Sequence, residues 1–538
     1  MQSQNLAIPC HSTNGISLQS GCAATRERQQ PISITVTDHI SKGITMSINT
    51  GMLLIWISFT GCIGAILYGT WHYFSRNPKI QRISQIFELT CLAASTLAAA
   101  LLLYYLLNVT AHYLYVFRFS CETFPILYKI SAFWAGQEGS LFIWAWSTLV
   151  CVALLRVHAR GKISEITRIA GLSVAAVFLM LLVIRSPFEL IYGIDHQGHL
   201  LSTSTDIFAV PYLMDSHFAQ GMNPLLRNPW MVIHPPIVFF GYAAAAIPFG
   251  AAAAYLLIGD RRWMEIAEPW SRITWLFMTL GIGIGGFWAY EVLGWGAWYW
   301  GWDPVETSSL IPWVALTAYL HTQFRMKRNR EYGLAAPALL MLSFILVIFA
   351  TFVTRSGLWA SQHGFATSVE AQIIGVFLVE LILICICILL YGFMSGSDTS
   401  ESKMEKASIG SRFRSHLLDW IIINIIQYTV GLVLVLVATF WQVMDVIVPM
   451  AFLLGLSIPL VYFTYFFGNG QTPGMKVEKI RLCGTDETYP IGYVKGCIRW
   501  VGMIISGFAI GLGFLWILID ENKQGWHDKI ADTYVVVE

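Results

Sequence analysis

The sequence predicts an all-α fold, a polytopic helical membrane protein with about twelve transmembrane helices. Two observations carry this reading. Of 538 residues, 56% are hydrophobic and only 12% charged, where a soluble domain carries about 25% charged residues. Long apolar stretches also recur along the chain, and basic residues gather in every second connection between them.

The apolar stretches lie near 51–74, 87–108, 139–156, 167–186, 233–258, 272–290, 306–325, 334–354 and 370–393, then 417–439, 444–467 and 498–519. Each is long enough for about 30 Å of hydrocarbon. Arg76, Lys79 and Arg82 follow the first. Arg156, Arg160, Lys162 and Arg168 follow the third, and Arg261 and Arg262 the fifth. Arg325, Lys327, Arg328 and Arg330 follow the seventh, and Lys403, Lys406, Arg412 and Arg414 the ninth. Basic loops stay in the cytoplasm. Residues 109–138, 187–232, the segment after the sixth span and 355–369 are therefore expected to face outward.

Residues 1–45 are polar and aperiodic and lack a secretory signal. The topology would place them outside, so a start at Met46 is the simpler expectation, with 1–45 an extension of no structural role. A serine-rich polar linker, 394–411, divides a nine-span unit (46–393) from a three-span unit (412–538). No internal repeat is evident. A net charge of +1 gives no sign of a nucleic-acid partner; the partner that composition does imply is the lipid bilayer. Ten cysteines include no CxxC pair, and Cys385 and Cys387 point apart on one apolar helix. A disulfide framework, a thiol-redox motif and a covalent haem-attachment motif in this chain are thus unsupported.

The densest chemistry lies between Trp288 and Trp302, where five tryptophans (Trp288, Trp295, Trp298, Trp300 and Trp302) precede Asp303-Pro304-Val305-Glu306. Each indole N–H seeks a partner, and the alternation 298, 300, 302 is not one face of a helix. It suits a non-helical platform whose Gly294, Gly296 and Gly301 let a flat ligand, such as a porphyrin, approach the backbone. The alternative is an aromatic belt at the membrane interface. Asp303, Pro304 and Glu306 read as a capping box opening the seventh span, with a propionate or substrate role as the other reading.

Two histidines flank this platform on the same expected face. His234 begins His234-Pro235-Pro236, whose prolines fit a first helical turn. His363 follows Thr354-Arg355-Ser-Gly-Leu-Trp-Ala-Ser-Gln. Together they are candidates for the two axial ligands of haem iron, although a single interfacial histidine more often just sits among headgroups. Arg355 has the fork to hold a carboxylate or a lipid headgroup. His321, near the cytoplasmic end of the seventh span, is an ionisable group at membrane depth. Glu138 opens the third span, either as a helix-dipole carboxylate or as part of the outer site.

Taken together, these elements resemble the haem-handling membrane proteins (the CcmF, CcmC and CcsA group), and specifically the CcmF-type cytochrome c haem lyase. The resemblance covers about 46–393. It rests on Trp134-Ala-Gly-Gln-Glu-Gly-Ser140, Asn223-Pro-Leu-Leu before His234-Pro-Pro, Trp300-Gly-Trp-Asp-Pro-Val-Glu306, Tyr319-Leu-His321 and Phe352-Val-Thr-Arg355-Ser-Gly with His363. It implies that His234 and His363 ligate an incoming b-type haem, that the tryptophan segment grips the macrocycle, and that His321 is one ligand of a second, embedded b-type haem. In the family the other ligand is a later histidine followed by leucine and glycine; here only His416 and His527 follow His363. By depth, His416 is the one placed to substitute, or else it is an interfacial residue of the C-terminal unit.

The resemblance further implies thioether attachment of haem to the CxxCH cysteines of apocytochrome c, outside the prokaryotic cytoplasmic (inner) membrane. Implied partners are apocytochrome c, a haem donor chaperone and other cytochrome c maturation membrane subunits. The alternatives are a haem delivery protein that forms no bonds, and a permease with an aromatic girdle. Residues 412–538 resemble the RDD family through Arg414-Ser-His-Leu-Leu-Asp419, Gly470-Gln-Thr-Pro-Gly474 and Trp526-His-Asp528. Three crossings there would separate Arg414 from Asp528, and a re-entrant 498–519 would return both to one side.

Overall fold

A computed structural model describes residues 48–538, apart from 195–199, 209–214, 294–299, 330–333, 360, 362–368, 396–405, 442–443, 486–487, 509–510 and 521. The expected residues Trp295, Trp298 and His363, and the segment 1–45, lie outside the described residues. So does most of the expected linker, whose last residues already belong to a helix starting at Ile409.

The first unit is built on α1 (Thr50–Ser75), α2 (Pro78–Leu107), α3 (Leu114–Phe119), α4 (Ile126–Ser131), α5 (Gln137–His158) and α6 (Lys162–Ile184). It continues with α7 (Pro229–Ile258), α8 (Trp263–Trp288), α9 (Pro304–Asn329), α10 (Ala335–Ser356) and α11 (Val369–Ser395). Asparagines open three of these helices: Asn49, Asn77 and Asn228 accept from the backbone N–H of Met52, Lys79 and Trp230, satisfying donors that a helix start leaves over. The antiparallel strands β1 (Leu190–Ile194) and β2 (Leu200–Ser204) form a hairpin on the α6–α7 connection, an element the sequence reading did not anticipate.

Helix α7 packs against α5, α6, α8 and α10. Its Ala243–Ala246 and Ala251–Ala254 are all buried, and small residues let helix backbones approach where lipid gives no hydrophobic drive. At Gly250, an added Cβ would meet the Thr167 carbonyl at 3.0 Å. Ion pairs sort the helix ends. Arg76 pairs with Glu165 at 2.8 Å, and Glu88 lies 3.4 Å from both Arg156 and Arg168. These residues flank alternate connections, so the first two basic clusters share one end of the bundle. At the opposite end, Arg185 lies 3.4 Å from Glu138 and 3.5 Å from Glu370.

The C-terminal unit contains α12 (Ile409–Trp441), α13 (Met444–Gly468), α14 (Pro473–Val477), β3 (Ile480–Gly484), α15 (Tyr493–Phe508), α16 (Leu512–Leu515), α17 (Trp526–Ile530) and β4 (Thr533–Val537). Strands β3 and β4 pair antiparallel from Ile480↔Val537 to Gly484↔Thr533. Asp419 accepts hydrogen bonds from Tyr462 (2.9 Å), the Gly474 amide (2.8 Å) and the Thr472 hydroxyl. Gly474 is obligatory here, because a Cβ would sit 2.1 Å from the Ser415 carbonyl.

Eleven of the twelve expected spans are single helices. Among the described residues, eight helices are long and apolar enough to cross a membrane, or nine if one bent pair is counted as a span. The exception in shape is 498–519. There two helical pieces, Tyr493–Gly507 and Leu512–Leu518, meet at 110°. Because β3 and β4 pair across it, the segment between them returns to the side it left. Arg414 does not pair with Asp528; it binds Glu478 at 2.7 Å, and Arg412 takes Asp528 at 2.8 Å.

Candidate functional site

At the Glu138 end of the bundle, α5, α7, α8, α9 and α10 enclose a cavity of about 340 Å³. That is toward the small end of the roughly 300–1,000 Å³ typical of ligand pockets. Trp134, Trp288 and Trp300 line it together with His234, Glu306 and Arg355.

His234 is placed by two sequence features. Helix α7 begins at Pro229, so Pro235 and Pro236 are its seventh and eighth residues, at the end of the second turn and not in the first as expected. Proline has no N–H to give the residue four back. The Met231 carbonyl, deprived in this way by Pro235, accepts instead from Trp134 Nε1 at 2.9 Å. Opposite, Gly281 and Gly285 leave one face of α8 bare. The His234 ring lies on it, with Nδ1 donating to the Gly281 carbonyl at 2.7 Å. A Cβ at Gly285 would stand 2.6 Å from His234 Cε1. The ring stacks on Trp288 at 6.2 Å and 27°. Donation through Nδ1 puts the imidazole lone pair on Nε2, the tautomer a metal ligand needs. Just past Trp288, α8 opens into a π-helical turn, Ala289–Leu293, a distortion frequent at functional sites.

Asp303 caps α9 as expected, accepting from the amides of Val305 (2.9 Å) and Glu306 (3.4 Å), and it also accepts from the Ser361 hydroxyl at 2.8 Å. Glu306 departs from the expected box: its Oε2 accepts from the Gly301 amide at 3.0 Å. It thereby ties the tryptophan segment to the helix start. Trp300 lines the cavity, and its buried Nε1 has no hydrogen-bond partner among the described residues. Trp302 behaves differently. It is 72% exposed, has a φ of +56° and is not part of the cavity wall.

Arg355 is 2% exposed, and its Nη2 donates to Ser140 at 2.7 Å. Burial at the cavity wall excludes the headgroup reading. His321 lies 18 positions beyond Asp303 on α9, about 27 Å along the axis at 1.5 Å per residue. It is exposed and bonds the Thr317 carbonyl of its own helix. His416 lies in a separate cavity built wholly from residues 409–535 and stacks on Phe463 and Phe514. The structure does not bring His416 and His321 into one cavity.

Sequence reasoning did not assign a role to Trp134 or the α8 glycines. The Gly281-Ile-Gly-Ile-Gly-Gly286 run was the available signal, since spacing of four puts Gly281 and Gly285 on one face.

The residues present fit a flat, iron-bearing, carboxylated ligand. A lone-pair nitrogen, a bare glycine face, an orphaned indole N–H and a buried guanidinium surround one aromatic space. Fold and cavity define a multi-pass membrane protein with a histidine- and tryptophan-lined site at one end of its bundle.

Residues 134–359 match the family described as cytochrome c assembly protein, and residues 406–532 match the RDD family. It is 30% identical over 350 residues to the cytochrome c-type biogenesis protein CcmF of Haemophilus influenzae, covering 64% of this chain and 50% of that one. It is 34% identical over 278 residues to the cytochrome c-type biogenesis protein CycK of Bradyrhizobium diazoefficiens, covering 50% of this chain and 38% of that one. The chain thus spans about half or less of the length of these relatives. A solved structure, cytochrome c heme lyase CcmF, shares the fold with a TM-score of 0.51 at 17% identity, over 94% of this chain and 71% of that one.

Proposed function

We propose that this chain acts in cytochrome c biogenesis by holding a b-type haem in the aromatic cavity and promoting its attachment to apocytochrome c. The observation that carries the reading is the His234 arrangement: Nδ1 is committed to Gly281, so Nε2 is the nitrogen to ligate iron. His363 is the proposed second ligand. Trp300, with Trp295 and Trp298 of the same segment, would lie against the macrocycle and Trp302 at its exposed edge, and Arg355 would pair with a propionate. Asp303 positions the segment through its cap and through Ser361.

The chemistry is addition of each CxxCH thiol across one haem vinyl, the sulfur bonding one carbon and the proton the other. The apocytochrome supplies the thiols, so no residue here serves as nucleophile. This chain's residues orient the ring edge, ligate iron and exclude water. The cavity then faces outward from the prokaryotic cytoplasmic membrane, because the basic clusters sit at the opposite end. A haem donor chaperone and other maturation subunits act beside it, and 46–393 and 412–538 work as separate domains. His321 is the proposed ligand of a second, embedded b-type haem.

Haem delivery to a separate lyase is the second reading. It is favoured by the position of His416, which packs inside the C-terminal domain and not beside His321. Co-expression with an apocytochrome and a haem donor separates the two: haem that stays on the cytochrome after denaturation supports attachment, and haem that leaves supports delivery. The site itself is tested by haem content of the purified chain. His234→Ala and His363→Ala are expected to lower it, with partial recovery in imidazole; full occupancy in the double variant overturns the assignment.

A further inference from the structure

The C-terminal domain holds a second cavity, of about 420 Å³, unconnected with the haem reading. Its polar end is an ion triad. Asp528 is wholly buried and binds Arg412 Nη1 at 2.8 Å and Arg499 Nη2 at 2.6 Å. Both arginines line the cavity and are 8% and 3% exposed, yet the Nε of each has no hydrogen-bond partner among the described residues. One carboxylate therefore serves two guanidiniums, and two buried charged donors remain unsatisfied. Asp419, also on the wall, does not relieve them, because its oxygens are engaged by Tyr462, Thr472 and Gly474. Buried donors of this kind call for acceptor oxygens, preferably anionic ones.

The rest of the lining is largely apolar. Phe413 and Leu515 line the interior and are also 44% and 56% exposed. Beyond them Leu512, Leu518 and Ile519 present 56%, 66% and 71% of their surface. Such a contiguous apolar rim marks contact with lipid or an apolar ligand.

We infer that this cavity binds an acyl amphiphile with an anionic oxygen head group, its chain among Phe413, Phe514 and Leu515 and its oxygens on Arg412 and Arg499. A fatty carboxylate and a lipid phosphate share this chemistry, and extraction distinguishes them. The full chain is purified in a synthetic detergent, its retained acyl species are extracted, and each is counted by mass and by phosphorus content. About one equivalent per chain is expected, containing phosphorus if the source is a phospholipid and lacking it if a fatty acid. Arg499→Lys keeps a charge for Asp528 but loses the planar fork, and Leu515→Trp obstructs the exposed mouth without touching the triad. Each is expected to lower retention roughly tenfold at unchanged helicity. Retention equal to wild type in both variants, or no bound acyl species in the wild type, overturns the proposal.

Discussion

His234 lies on the bare face of α8 with its Nδ1 bonded to the Gly281 carbonyl at 2.7 Å, and Gly285 leaves the space its ring fills. The ring orientation is therefore fixed by an absent side chain as much as by a hydrogen bond. Gly285→Ala puts a methyl 2.6 Å from Cε1. Overpacking of this kind costs about 1–3 kcal/mol and turns the ring. Haem content of Gly285→Ala is expected to approach that of His234→Ala while the protein remains folded. Wild-type occupancy in Gly285→Ala would show that the groove does not position the ligand.

Trp134 and Pro235 form a compensating pair around the Met231 carbonyl. Trp134→Phe should leave that carbonyl without a donor and cost about 1–3 kcal/mol. Pro235→Ala restores a backbone N–H at the right place, so the same replacement is expected to cost much less in that background. Thermal unfolding of the two single variants and the double variant measures the coupling. Additive losses would mean that the indole N–H contributes nothing there.

Trp300 and Trp302 should separate in the same assay. Trp300 walls the cavity and Trp302 is mostly exposed. Trp300→Leu is expected to weaken haem retention by about 1 kcal/mol more than Trp300→Phe, the increment of an aromatic contact beyond area burial. Trp302→Leu should have the smaller effect on retention. Equal effects at the two positions would place the ligand outside the cavity described.

Asp303→Asn should preserve α9, because asparagine caps as well as aspartate, and Asp303→Ala should cost about 1 kcal/mol. If haem attachment falls in Asp303→Asn while unfolding is unchanged, the carboxylate acts beyond capping.

The C-terminal domain should weaken in mild acid. Burial drives His527 well below its ordinary range, to about 3, with Asp528 opposing and Arg499, His416 and Arg412 reinforcing. For Asp528, burial pushes upward, but Arg499, His527 and Arg412 outweigh it and hold the carboxyl at about 2. An unfolded chain takes up a proton at a histidine near pH 6.5, while the folded one resists until about 3. Stability is thus full above about pH 6.5 and falls as pH drops below it, by at most about 1.4 kcal/mol per unit from this group. The Asp528 contribution is lost only lower, as pH falls from the ordinary carboxylate range toward 2. Protection factors of amides in peptides from 493–538, corrected for the intrinsic exchange rate at each pH, should therefore fall between pH 6.5 and 4, and His527→Gln should flatten the profile.

Helix positions were legible because hydrocarbon thickness and apolar run length are the same constraint. The Asp303 cap was legible because it is local. What escaped were contacts made between elements, Trp134 reaching Met231 and His234 settling on glycine. Each depends on which faces meet, and one sequence does not state that. The choice between a third crossing and a re-entrant 498–519 was not legible for a related reason. Hydropathy measures affinity for lipid, whereas the bend is enforced by the pairing of β3 with β4 and of Arg412 with Asp528.

The Arg412–Asp528 bond joins positions 116 residues apart, which gives the triad a consequence in time. A ribosome delivers Arg412 and, later, Arg499 to the membrane before the carboxylate that neutralises both has been made. Until Asp528 emerges, the nascent domain holds two guanidiniums that water or a headgroup must shelter. Asp528 therefore acts as a latch that closes on two cations made before it.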